Sequence, residues 1–195
     1  MPGWRAHWRE VLDFWFGAPG TPAYGQSRAA WFKKSDAFDA DIRRRFEALH
    51  GAAATGALDT WRDSPLTLLA LIVVCDQFPR NMYRDSARAF ETDALALTHA
   101  RHMVAQGWDR RLHTVERQFV YLPFEHAENL EAQQASLRLF GDLAREAGSD
   151  DLLQWAHKHA VIIKRFGRFP HRNAALGRTS TPEELAFLAG PDSRF

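Results

Sequence analysis

Ser64–Asn81 reads SPLTLLALIVVCDQFPRN, and its apolar residues keep to no single face. A helix that is apolar all round must be surrounded by protein, so this run predicts the central helix of the molecule. Ser64 suits the cap and Pro65 the first helical position, where the missing N–H leaves nothing unsatisfied. The Phe78-Pro79 pair reads as the stop, because proline cannot continue the ladder.

Working outward, helical periodicity recurs nearly everywhere and no segment alternates as a strand would. The class is all-α, read as one domain over residues 1–195. A first helix holds Trp8–Phe16, with Trp8, Leu12, Trp15 and Phe16 on one face. A second runs from about Trp31 to His50, pointing Phe32, Phe38, Ile42 and Phe46 inward and Arg43–Arg45 outward. After the central helix, Asp85–Gln106 carries the stripe Phe90, Ala94, Leu97 and Val104, and Gly107 stops it. Thr114–Phe124 is broken at Pro123, and Glu128–Gly148 presents Leu130, Leu137, Phe140 and Leu143. Asp150 caps Asp151–Phe166, where Trp155, Ile162 and Phe166 meet one neighbour and Leu152, Ala156, Ala160 and Ile163 another. A short helix with Ser180 or Thr181 at its cap and Pro182 at its start closes the chain.

Composition excludes several classes. The net charge of +1 gives no field for nucleic acid, and no basic tail or acidic block departs from that balance. The longest apolar run, Leu66–Cys75, is too short to span a bilayer. Glu10 and Asp13 interrupt the apolar N-terminal stretch, which therefore does not read as a secretory signal. The single cysteine, Cys75, behaves as a small buried hydrophobe. The expectation is a cytoplasmic protein with no nucleic-acid or membrane partner. Trp4, Trp8 and Phe195 are placed either to cover a dimer surface or to fold back on the chain.

Three helix ends share a pattern: DQFPRNMYR at Asp76–Arg84, YLPFEHAEN at Tyr121–Asn129 and RFGRFPHRN at Arg165–Asn173. Each sets proline among aromatics with polar residues just after. One reading is architectural: proline ends the helix, the aromatics plug the core, and Arg or Asn satisfies the last carbonyls. The other is a cleft where the three ends converge above an apolar floor. In it Asp76, Arg80, Asn81, Arg84, Glu116, Arg172, Asn173 and Arg178 bind a small anionic ligand, and Glu125 or His171 moves a proton. Asp76 and Asp93 fall on buried faces and need partners, which arginine supplies in either reading.

A metal centre has no support in the spacing. Glu116, Glu125, His126, Glu128, His157, His159 and His171 are present, but His-Glu-x-x-His is absent, and so is the pair of Glu-x-x-His motifs that a di-iron bundle uses. His157 and His159 fall on different faces of their helix and read as surface or core histidines. No phosphate loop, dinucleotide loop or serine elbow appears, and no cofactor is expected.

The segments Asp76–Leu97, Glu116–Gln133 and Phe166–Leu188, with VLDFWFG at Val11–Gly17, resemble the bacterial family catalogued as domain of unknown function 924. The resemblance covers almost the whole chain. It implies a tetratricopeptide-like fold of packed antiparallel helix hairpins in a right-handed layer, and it brings no reaction, cofactor or catalytic residue. A scaffold for a protein or peptide partner is therefore the alternative to the small anionic ligand, although the Trp, Leu-Gly and Tyr pattern of true repeats is missing.

Overall fold

In the computed structural model, which describes Trp4, residues 7–191 and Ser193, α3 spans Pro65–Met82, and every residue from Leu68 to Pro79 is buried. The other helices are α1 (His7–Phe16), α2 (Asp36–Ala54), α4 (Asp93–Ala105), α5 (Thr114–His126), α6 (Leu130–Ala147), α7 (Asp151–Phe166) and α8 (Pro182–Leu188). No strand occurs among the described residues, so the all-α class holds. The chain divides into two compact units, Met1–Arg84 with Arg88–Pro123, and Asp85–Ala87 with Phe124–Phe195.

In the first unit α3 packs on α1, α2 and α4. Aromatic rings fill the space between them. Phe46 stacks on Phe78 at 4.6 Å, and Trp15 meets Phe78 and Phe119 edge-on, each at 5.6 Å. The Trp15 carbonyl accepts from Trp31 Nε1 at 3.0 Å, which ties the loop after α1 back to its end. VLDFWFG is thus one wall of this core.

Pro79 does not stop α3, and Pro123 does not stop α5; both lie inside their helices. Proline removes one amide donor, and a helix survives if another group takes the orphaned carbonyl. For Pro79 that carbonyl belongs to Cys75, and the Thr92 hydroxyl donates to it at 2.6 Å. The Thr92 oxygen lies 3.1 Å from His50 Nε2, which must carry the ring proton because the hydroxyl's own proton is spent on Cys75. Arg80 Nη1 donates to the next carbonyl, Asp76 O, at 2.6 Å.

The same bond sets the phase of α4. Thr92 anchors its start, so Ala96, His99, Ala100 and Met103 fall on the buried face, in place of the expected Phe90, Ala94, Leu97 and Val104. A separate 3-10 turn, Ala87–Phe90, precedes it, so α4 begins eight residues later than its periodicity suggests. The second helix also starts late. Ser35 accepts from the Phe38 amide at 3.3 Å and caps α2 there, leaving Phe32 outside the helix and 64% exposed rather than inward. Ser64 precedes α3 as expected but makes no side-chain cap; its hydroxyl pairs with Thr67 Oγ1 at 2.8 Å.

In the second unit α6 packs on α7. Asn129 caps α6 by accepting from the Ala132 amide at 2.8 Å, which leaves Leu130 on the first, solvent-facing turn. Gly167 ends α7 in the left-handed region at φ 71°, its amide donating to Ile163 O at 2.8 Å. Asp150 precedes α7 without a side-chain cap, and Trp155, expected inside, is exposed under the Lys158 ammonium at 4.5 Å. Thr181 and Glu184 form a reciprocal capping box on α8. Trp4 lies edge-on to His7 at 5.2 Å, while Phe195 falls outside the described residues.

Candidate functional site

The candidate residues divide between the units. Asp76, Arg80, Asn81, Arg84 and Glu116 belong to the first; Glu125, His171, Arg172, Asn173 and Arg178 belong to the second.

In the first unit the arginines meet carboxylates. Arg80 forks onto Asp93 at 2.8 and 3.0 Å and lies 3.6 Å from buried Asp76. Arg84 forks onto Asp39 at 2.5 and 2.9 Å, and Asn81 Nδ2 donates to Asp39 at 2.8 Å. Burial acts against the Asp39 carboxylate, but bonds from Arg84 and Asn81 outweigh it and lower its pKa. Asp39 is invisible to local reading, since it joins the α3 end across more than forty residues. Glu116 accepts from the His113 amide at 2.9 Å and the Tyr24 hydroxyl at 3.4 Å, closing the start of α5. No group of three or more His, Cys, Asp or Glu side chains able to hold a metal occurs among the described residues.

The second unit gathers its polar groups around one ring. Phe169 is fully buried, with His159 edge-on at 5.5 Å, His171 at 5.6 Å and the Arg172 guanidinium over its face at 4.6 Å. Its backbone is held from both sides. Glu128 Oε1 accepts from the Phe169 amide at 2.7 Å, and Arg178 Nη2 donates to its carbonyl at 3.1 Å. Arg178 also forks onto Glu128 at 2.6 and 2.9 Å and reaches Asn173 Oδ1 at 3.0 Å. Asn173 in turn donates to Ser180 and to Glu184, the carboxylate that Arg168 clasps at 2.6 and 2.8 Å. The Arg168 bonds, ahead of the capping amide of Thr181, hold Glu184 down at about 2.

His159 is the group that sequence reading missed. Its spacing from Ala156 and Ile163 puts it on the buried face of α7, a signal visible in the sequence. Nδ1 lies 2.9 Å from the Trp155 carbonyl and 3.1 Å from Glu125 Oε1. Both are acceptors, so Nδ1 carries the proton and a neutral ring keeps its lone pair on Nε2. Burial is the main force holding the ring neutral, with His126, Arg172 and His171 adding to it; together they overcome the Trp155 bond and take His159 to about 3. Gln133 locks the end of α5 beside this pair, its Nε2 donating to Glu125 O at 2.7 Å and Ala127 O at 2.9 Å.

The profile of the bacterial proteins of unknown function called DUF924 matches residues 11–192. The chain belongs to that family. A solved structure, that of a protein of unknown function (ATU0120) from Agrobacterium tumefaciens, is 39% identical over 95% of this chain and 98% of its own, with a TM-score of 0.81. No curated protein matches the chain. Within this DUF924 chain no described helix is long and apolar enough to cross a membrane.

Proposed function

We propose that the second unit binds a small anionic metabolite beside Phe169, and that the Glu125–His159 pair and His171 hold or move a proton on it. The observation that supports this reading is the cluster of basic groups gathered on His159. His126, His171 and Arg172 all act on that ring with positive or chargeable groups, and Glu125 is the carboxylate beside it. An arriving anion would offset that field and raise the basicity of Nε2, so binding and proton uptake reinforce one another. Asn173 and Arg178 position the Phe169 loop from behind. Asp76, Arg80, Asn81, Arg84 and Glu116 serve the first unit as braces in this reading, and the setting is the cytoplasm.

A specific feature favours the scaffold alternative. His157, Lys158, Val161, Ile162, Phe187 and Pro191 line an apolar surface groove of about 310 Å³, with Val161 62% exposed. Such a groove with a basic edge suits a partner segment that is apolar and acidic.

One set of melting curves separates the two. Wild type, His171→Ala and Val161→Asp are heated with a panel of small phosphorylated and carboxylated metabolites and with an acidic amphipathic peptide. The metabolite site requires that at least one metabolite stabilises wild type and Val161→Asp, while half-buried His171→Ala folds but does not respond. A panel without effect, or an unchanged response in His171→Ala, overturns it. Stabilisation by the peptide that Val161→Asp alone abolishes moves the function to the groove.

A further inference from the structure

We propose that Arg62, His99 and the first turn of α3 form a second binding site, in the first unit, for a phosphate group, either free or carried on a small metabolite. Three independent observations lead there. The first is a pair of orphaned nitrogens: Arg62 Nε and His99 Nδ1 are buried and without a hydrogen-bond partner among the described residues. Buried polar atoms are nearly always paired, so two bare nitrogens point to a ligand. His99 is 2% exposed, whereas Arg62 is half-buried, which puts the pair just beneath the surface.

The second observation is the start of α3, an 18-residue helix. Its cap residue, Ser64, spends its hydroxyl on Thr67 Oγ1 rather than on a backbone amide. The first amides of the helix thus lack the acceptor that a cap supplies, and the positive end of the helix dipole is left there.

The third is topology. Thr92 at the start of α4 bonds Cys75, and Asp93 bonds Arg80, both in the C-terminal half of α3. Two turns later on α4, His99 feels the charge of Arg62, which stands two residues before the Ser64 cap. α4 therefore runs antiparallel to α3 and carries His99 back toward the α3 N-terminus. A guanidinium, an imidazole and helix amides would offer donors from different elements, which suits a tetrahedral group with several acceptor oxygens better than a planar carboxylate.

The charges facing His99 are Arg62, Asp59 and His102. Burial, then Arg62, holds the ring neutral at about 4, against the opposing pull of Asp59. A bound phosphate would cancel the Arg62 field and supply an acceptor for a ring N–H, so His99 would take up a proton as the site fills.

The test follows the His99 ring resonances of the full chain by NMR during titration with inorganic phosphate and, separately, with glycerol 3-phosphate. Sodium chloride at matched ionic strength is the control. The site requires a saturable shift of the His99 signals and a raised His99 pKa at saturation. It also requires affinity at least about tenfold weaker in Arg62→Met, which keeps the stem and removes the donors. A response to both compounds indicates recognition of the bare group; a response to glycerol 3-phosphate alone assigns the site to a phosphorylated metabolite. His99 signals that ignore both compounds, or that move equally in chloride, overturn the proposal, as does an Arg62→Met variant that binds like wild type. The wild-type titration decides the matter by itself if the variant fails to fold.

Discussion

Thr92 makes two bonds that no apolar isostere can replace, donating to the Cys75 carbonyl and accepting from His50 Nε2. Both partners are buried, so losing the hydroxyl strands an acceptor and a donor at once. Thr92→Val is expected to destabilise the protein by about 2–4 kcal/mol, the lower part of the range for two stranded groups. Thr92→Ser should recover most of it. Urea unfolding checks both; a valine variant within about 0.5 kcal/mol of wild type would show that the hydroxyl is dispensable. His50 shows why such a role escapes local reading. Its place in the sequence, near the end of an amphipathic helix, says nothing of a partner 42 residues away.

At the scale of the element, α3 is a proline-containing helix repaired by another element. Restoring the amide with Pro79→Ala lets the ladder reach Cys75 O directly, which makes the Thr92 donor redundant at that carbonyl. In a double-mutant cycle the Thr92→Val penalty should fall by about 1 kcal/mol in the Pro79→Ala background, leaving the His50 share. Additive penalties would mean that the hydroxyl does not substitute for the missing amide. The elements themselves were largely legible. The all-round apolar run over Leu66–Phe78 identified the central helix of the first unit, and the span of α7 was read correctly, because burial and capping leave period and composition in the sequence. The phase of α4 and the fates of Pro79 and Pro123 were not legible, because each depends on a group supplied from outside the helix or on tertiary packing. The candidate site shows the same limit: Glu125, His171 and Arg172 stand out beside prolines, but His159 and Asp39 acquire their roles only through neighbours remote in sequence.

For the whole molecule, three buried histidines make acid the weak direction. His50, His99 and His159 all have lowered pKa values, burial being the largest cause for each, with His99 at about 4 and His159 at about 3. Above about pH 6.5 the folded and unfolded chains both leave these rings neutral, and their contribution is fully present. Below it the unfolded chain binds protons that the folded chain refuses, so stability falls as pH drops toward about 4 and then about 3. Each ring contributes a slope of at most about 1.4 kcal/mol per pH unit in that window. Glu184, held at about 2, adds to the loss once the pH passes below the ordinary carboxylate range. Urea midpoints measured from pH 7.5 down to 4 should fall steadily, and a flat profile would mean that the rings are protonated in the folded state.

The clasp on Phe169 also bears on the order of folding. Glu128 is separated by 41 residues from the amide that it holds and by 50 from the guanidinium that grips it. Local helices need no such long closures, whereas this loop must wait until distant segments have met. α6 and α7 can therefore form and pair before the ring at the centre of the candidate site has its place. A half-folded second unit would be helical yet without its clasped ring, and the proposed site would be completed only with the last ion pair.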